Sequence, residues 1–130
     1  MDIIISKPAV KDLRPLVYNM VPAALSKVPF HADTEAIIRY IAKAFPMHMA
    51  VHQVSPVYIA PPLYTTPHVH EDCDEINIII SSQRLIYQVL LGDKEYIVHN
   101  NTAIWIPRGT LHAANVLNGS GFFIAIRVNG

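Results

Sequence analysis

The stretch Pro67-His68-Val69-His70-Glu71-Asp72-Cys73-Asp74-Glu75 concentrates the groups that can do chemistry in this chain. Side chains alternate along a strand, so His68 and His70 leave it on the same face, with Cα atoms roughly 7 Å apart. Two imidazoles at that spacing reach one metal ion. Glu75 lies at an odd offset from His70 and would face the other way on a single straight strand. The polar run Glu71-Asp72-Cys73-Asp74 breaks the strand and lets the chain return the carboxylate to the same point. Asp72 or Asp74 takes that role if the turn has a different register. Two histidines and a carboxylate make a three-ligand site with open positions, an arrangement that suits Fe(II), Mn(II) or Zn(II).

A fourth candidate ligand, His112, ends the run Ile106-Pro107-Arg108-Gly109-Thr110-Leu111-His112. Proline and glycine there set a tight turn that delivers the histidine onto the start of the next strand. Pro-His-Val-His followed by four residues and Glu75, then Pro-x-Gly-x-x-His more than thirty residues later, resembles the two motifs of the small single-domain cupins. The resemblance covers roughly residues 50–128. It implies a double-stranded β-helix, that is a jelly-roll barrel, with one divalent metal ion (Fe, Mn, Ni or Zn) held by His68, His70, Glu75 and His112 near its mouth. Four positions depart from the pattern. Pro62, Ser82 and Asn101 stand where the motifs often carry glycine, and Asn115 precedes by one residue the position of the family's asparagine, occupied here by Val116. These changes bear on loop shape more than on metal ligation.

The elements that must position these groups follow from the patterning. The β-branched run at residues 2–6 reads as an edge strand, and residues 10–25 as one or two short helical pieces interrupted by Pro15 and Pro22. Residues 32–45 read as a helix: Asp33 or Thr34 caps it, Ile37, Ile38, Ile41, Ala44 and Phe45 form an apolar stripe, and Pro46 stops it. Strands are expected over residues 51–59, 63–70, 75–80, 84–91, 94–99, 102–106, 111–117 and 122–128, the last two parted by a turn at Asn118-Gly119-Ser120-Gly121. Short strands with frequent turn signals mark an antiparallel sandwich or barrel. The expected architecture is therefore all-β: a cupin barrel over residues 47–130, with an N-terminal strand and helical extension, residues 1–46, packed on it as one structural domain. If Glu75 faces the barrel interior, so do Asn77 and Ile79. Ile76, Ile78 and Ile80 then form an outward apolar row, to be covered by the helix or by a second copy of the chain, so a homodimer is expected.

Composition narrows the classes. The 130 residues carry 10 Lys and Arg against 10 Asp and Glu, which leaves no electrostatic footprint for nucleic acid or an anionic membrane. Hydrophobic residues make up 52 %, an apolar balance that points to a subunit interface. No apolar run has the length of a membrane span, the start lacks the basic residues of a secretory signal, and the one cysteine, Cys73, permits no internal disulfide. A cytoplasmic protein is the expectation.

Among the other reactive side chains, His31, His48 and His99 read as ordinary strand or surface histidines, and Cys73 as a loop thiol. His52, Tyr64 and Asn77 are the candidates to stand beside the metal, and Arg84 and Arg127 are strand cations able to pair a substrate carboxylate. A metal-dependent enzyme of dioxygenase, isomerase or lyase type, acting on a small, largely apolar or monoanionic molecule, fits best. The alternative is a metal-binding or ligand-sensing module without turnover.

Overall fold

The computed structural model describes residues 12–128, which are almost entirely antiparallel β-sheet. The strands are β1 (Val21–Pro22), β2 (Ile37–Ile41), β3 (Met49–Val57), β4 (Asp74–Ile80), β5 (Leu85–Leu91), β6 (Lys94–His99), β7 (Thr102–Ile106) and β8 (His112–Val128). The bonded order is β1-β2-β3-β8-β4-β7, with β5 bridging β8 and β6. The long β8 organises the barrel. Its C-terminal part lies between β3 and β4, while its N-terminal part, from His112 to Gly119, pairs with β5.

The turn expected at Asn118-Gly119-Ser120-Gly121 is instead a bend inside β8. Gly119 has φ of 98°, and a Cβ there would run into the carbonyl of Arg84. The same carbonyl accepts a hydrogen bond from Ser120 N at 2.8 Å. Register shifts on both flanks, at Ile86/Tyr87 in β5 and at Val54/Val57 around Pro56 in β3, carry the strand round the corner. Two short strands and a glycine-rich junction therefore merge into one bent strand.

Among the described residues the helical extension does not form. Residues 37–41 are β2, paired antiparallel with β3 from Ile37↔Val54 to Ile41↔Ala50. Spacing of Ile37, Ile38 and Ile41 fits either period, but Ile37-Ile38-Arg39-Tyr40-Ile41 is rich in strand formers, and the open edge of β3 decides the outcome. Burial alternates accordingly: Ile37 and Arg39 point inward and Ile38 outward. The helical pieces expected over residues 10–25 reduce to 3-10 turns at Arg14–Leu16 and Leu25–Lys27, and the strand expected at residues 2–6 lies outside the described residues. Residues 63–70 are not a full strand; their only β-bridges among the described residues are His31↔Thr65 and His68↔His112.

Parity in β4 is as the sequence implies. Asn77 and Ile79 are buried, Ile76 and Ile78 are half-buried on the outer face, and Ile80 is exposed. Inward residues of the other strands, Val54, Leu85, Tyr87, Val89, Ile104, Ile106, Val116 and Phe123 among them, fill one contiguous core. Polar side chains are buried beside it: His52, His68, Asn77 and His112 line a cavity together with Tyr64, Tyr87 and Phe123 of the core.

Candidate metal centre

His68 and His112 meet because their backbones pair. His68 N donates to His112 O at 3.1 Å and His112 N to His68 O at 2.9 Å. The turn at Pro107-Arg108-Gly109-Thr110 prepares this pairing: Thr110 N donates to Pro107 O, and Gly109, with φ of 80°, takes the left-handed position that the turn needs. His70 joins through its own carbonyl, which accepts from Gly109 N at 2.7 Å. The three rings lie with centroids 4.4 to 5.1 Å apart, and a nitrogen from each falls within 4.8 Å of the others.

The hydrogen bonds assign the protons. Nδ1 of His68 faces Thr66 O at 2.8 Å and Nδ1 of His112 faces Thr110 O at 2.9 Å, so each Nδ1 carries the hydrogen and each Nε2 a free lone pair. His112 Nε2 is buried with no hydrogen-bond partner. Glu75 Oε1 stands 3.2 Å from His70 Nε2 and 3.8 Å from His112 Nε2. Its other oxygen accepts from Asn77 Nδ2 at 2.8 Å, which fixes the carboxylate plane. Burial lowers the pKa of both His68 and His70, helped at His70 by the charge of Arg127, and so favours the neutral imidazole that a metal requires. Three imidazoles, with the Nε2 lone pairs of His68 and His112 free and the latter otherwise orphaned, and a carboxylate oxygen beside them fit a divalent transition metal. Phe30 stacks on His68 with centroids 5.2 Å apart, held at a φ of 68° that an aromatic residue rarely adopts.

The remaining expected residues fall into place as follows. Asn77 and His52 are buried and line the cavity below the histidines. Desolvation, then the charge of Arg39, pushes the His52 pKa down to about 3. Tyr64 also lines the cavity, but its hydroxyl accepts a hydrogen bond from Val116 N at 3.0 Å and so serves as a clamp on β8. Burial raises its pKa to about 12. Asp74, the competing carboxylate, accepts instead from Arg108 N at 2.8 Å, and Asp72 is exposed. Cys73 is buried with its pKa raised chiefly by desolvation, which leaves it a poor thiolate. Arg84 and His99 are exposed.

Four further residues take part in the site without having been singled out for it in the sequence. Asn115, out of step with the family pattern, is nonetheless the clamp for the segment before His68. Its Oδ1 accepts from Tyr64 N at 2.9 Å and Thr65 N at 3.0 Å, and its Nδ2 donates to Thr65 O at 3.1 Å. Arg39 is buried and lines the cavity, and the half-buried His31 and exposed His48 also reach its lining. Arg39 carried no signal once its segment was read as a helix, whereas strand parity would have pointed it inward.

An antiparallel barrel with a histidine cluster lining its cavity is the class these observations define, and comparison gives it a fold name. No protein-family model and no curated protein matches the sequence. Solved structures do. A predicted oxalate decarboxylase from Thermotoga maritima is similar with a TM-score of 0.57 at 13 % identity, covering 87 % of this chain and 94 % of that one. KdgF from Halomonas sp. gives 0.55 at 19 % identity over 81 % and 91 % of the two chains. An RmlC-like cupin from Shewanella frigidimarina gives 0.51 at 9 % identity over 81 % and 86 %. The chain has the cupin β-barrel fold, and its three clustered histidines can hold a metal.

Proposed function

We propose that the barrel binds one divalent metal ion through His68, His70, Glu75 and His112 and is a metal-dependent enzyme of dioxygenase, isomerase or lyase type, acting on a small molecule. The observation that carries this reading is the buried Nε2 of His112, which has no hydrogen-bond partner and shares its surroundings with His70, His68 and Glu75. Fe, Mn, Ni and Zn all suit a set of three imidazoles and one carboxylate. Such an ion, when bound, supplies a Lewis acid or redox centre with open positions for a substrate. The protein's own residues do the rest. Asn77 orients Glu75, the Thr66 and Thr110 carbonyls orient His68 and His112, and Phe123 and the alanines make part of the cavity wall apolar.

The likeness to a predicted oxalate decarboxylase supports a small-molecule enzyme. One observation favours the alternative, a metal-binding or sensing module without turnover: the Tyr64 hydroxyl is tied to β8 and His52 is held neutral, so neither offers a ready acid for catalysis. Anaerobic purification, metal analysis and substrate-dependent O₂ uptake separate the two. Turnover lost on chelation and restored by one metal supports the enzyme, while a metal-loaded protein inert with every ion supports the module.

The reading extends to assembly and place. Trp105, Ile80 and Phe122 are 56 %, 44 % and 43 % exposed on the outer face of the sheet, beside Ile76 and Ile78. Burial of this face against a second copy makes a homodimer, with residues 1–46 and the barrel of residues 47–130 acting as one structural domain. A cytoplasmic setting, with its low-oxidant chemistry, suits the free Cys73.

A further inference from the structure

Two arginines line the cavity that the histidines open into, and among the described residues neither forms an ion pair. Arg39 is 8 % exposed, and the Nε of Arg127 is buried with no hydrogen-bond partner. Strand register explains how they come together. Arg127 on β8 is the cross-strand partner of Glu75 on β4, so the two side chains share the inner face, and Arg39 on β2 is the partner of His52 on β3. Taking a guanidinium out of water without an anion is costly, and two facing one cavity add mutual repulsion. Arg127 depresses the pKa of Arg39, second to burial itself, which reflects that repulsion. An arrangement so unfavourable in the empty protein is relieved by an anionic ligand.

The charge balance of the cavity agrees. Its ionisable lining is Arg39, Arg127, Glu75, six histidines and the two tyrosines Tyr64 and Tyr87, whose raised pKa values keep them neutral. The two guanidiniums thus outweigh the single carboxylate even before a divalent ion adds its charge. The cavity volume is about 60 Å³. At roughly 10–15 Å³ per water, that is space for about four to six waters, and so for a ligand of similar heavy-atom count. Ala50, Ala125 and Phe123 make part of the wall apolar, which suits a carbon skeleton better than a bare inorganic anion.

We infer that Arg39 and Arg127 form a carboxylate-binding subsite, and that the barrel's ligand is a small carboxylic acid held by its carboxylate at this pair while its other end faces the histidines. Planar guanidinium forks match a carboxylate with paired hydrogen bonds. Only the second half of this inference rests on the proposed metal centre; the anion subsite stands without it.

The test uses the full chain, metal-free and zinc-loaded, titrated with malonate, acetamide and inorganic phosphate while the arginine Nε–H resonances are followed by NMR. Malonate should move the signals of Arg39 and Arg127 and leave those of the exposed Arg14 and Arg84 in place, and acetamide should move none. Arg127→Lys should weaken malonate at least tenfold without changing zinc stoichiometry, and Arg39→Lys should do the same. Malonate that moves neither cavity arginine, acetamide that acts like malonate, or lysine variants that bind malonate as tightly as the parent overturn the subsite. Phosphate binding more tightly than malonate overturns the carboxylate assignment. Failure to take up zinc removes the metal centre alone, because the metal-free titration still reads the arginines.

Discussion

Protons and lone pairs decide what the histidines can do. Because Thr66 and Thr110 carbonyls take the Nδ1 hydrogens, the Nε2 atoms of His68 and His112 are left as electron-pair donors. On the proposed ligation, His112→Ala lowers bound metal from about one equivalent to below a tenth on metal analysis and keeps the β-sheet circular dichroism. Asn77→Ala, which frees Glu75, weakens the metal by roughly 10–100-fold in a chelator competition. Proton linkage gives a second prediction. His52 is neutral in the fold down to about pH 3, whereas an unfolded histidine titrates near 6.5. Its folded pKa is depressed, so the unfolded chain binds the extra proton between those values. Stability is complete above about pH 6.5 and falls as pH drops towards 3, at roughly 1.4 kcal/mol per pH unit for each such proton. Thermal melts from pH 7 to pH 4 should show this slope, and His52→Gln should flatten it. An unchanged slope assigns the acid sensitivity to other groups.

Elements bring those residues into one place, and here the sequence was legible in part. The spacing of His68, His70, Glu75 and His112 was enough to expect them side by side, as they lie, and parity placed Asn77 and Ile79 inside. Long-range choices left no such mark. Residues 37–41 pair with β3 because its edge was open, and Gly119 bends a strand because the Arg84 carbonyl comes too close for a Cβ. Both depend on neighbours far away in sequence. Gly119→Ala therefore combines a left-handed φ with a backbone collision and should destabilise the protein by at least about 2 kcal/mol in denaturant melts. Asn115→Ala strips the hydrogen bonds from Tyr64 N, Thr65 N and Thr65 O in a buried setting. A loss of about 3 kcal/mol is expected, with weaker metal binding as the segment carrying His68 loosens. If Asn115→Ala melts like the parent, the clamp is not what holds that segment.

The whole molecule is a barrel with two unlike surfaces, a cationic inner cavity and an apolar outer sheet face. In the proposed dimer, Trp105→Lys places a charge in the centre of the buried outer face, and size measurement by light scattering should change from twice the chain mass to one. The inner cavity carries the central claim, that this fold holds one metal on three histidines and a carboxylate. Metal analysis of protein purified anaerobically, run beside His70→Ala and His112→Ala, tests it most directly. About one equivalent of a single transition metal in the parent and almost none in either folded variant is the predicted result; a parent without metal after exposure to Fe, Mn, Ni and Zn, or variants that keep it, would contradict the claim.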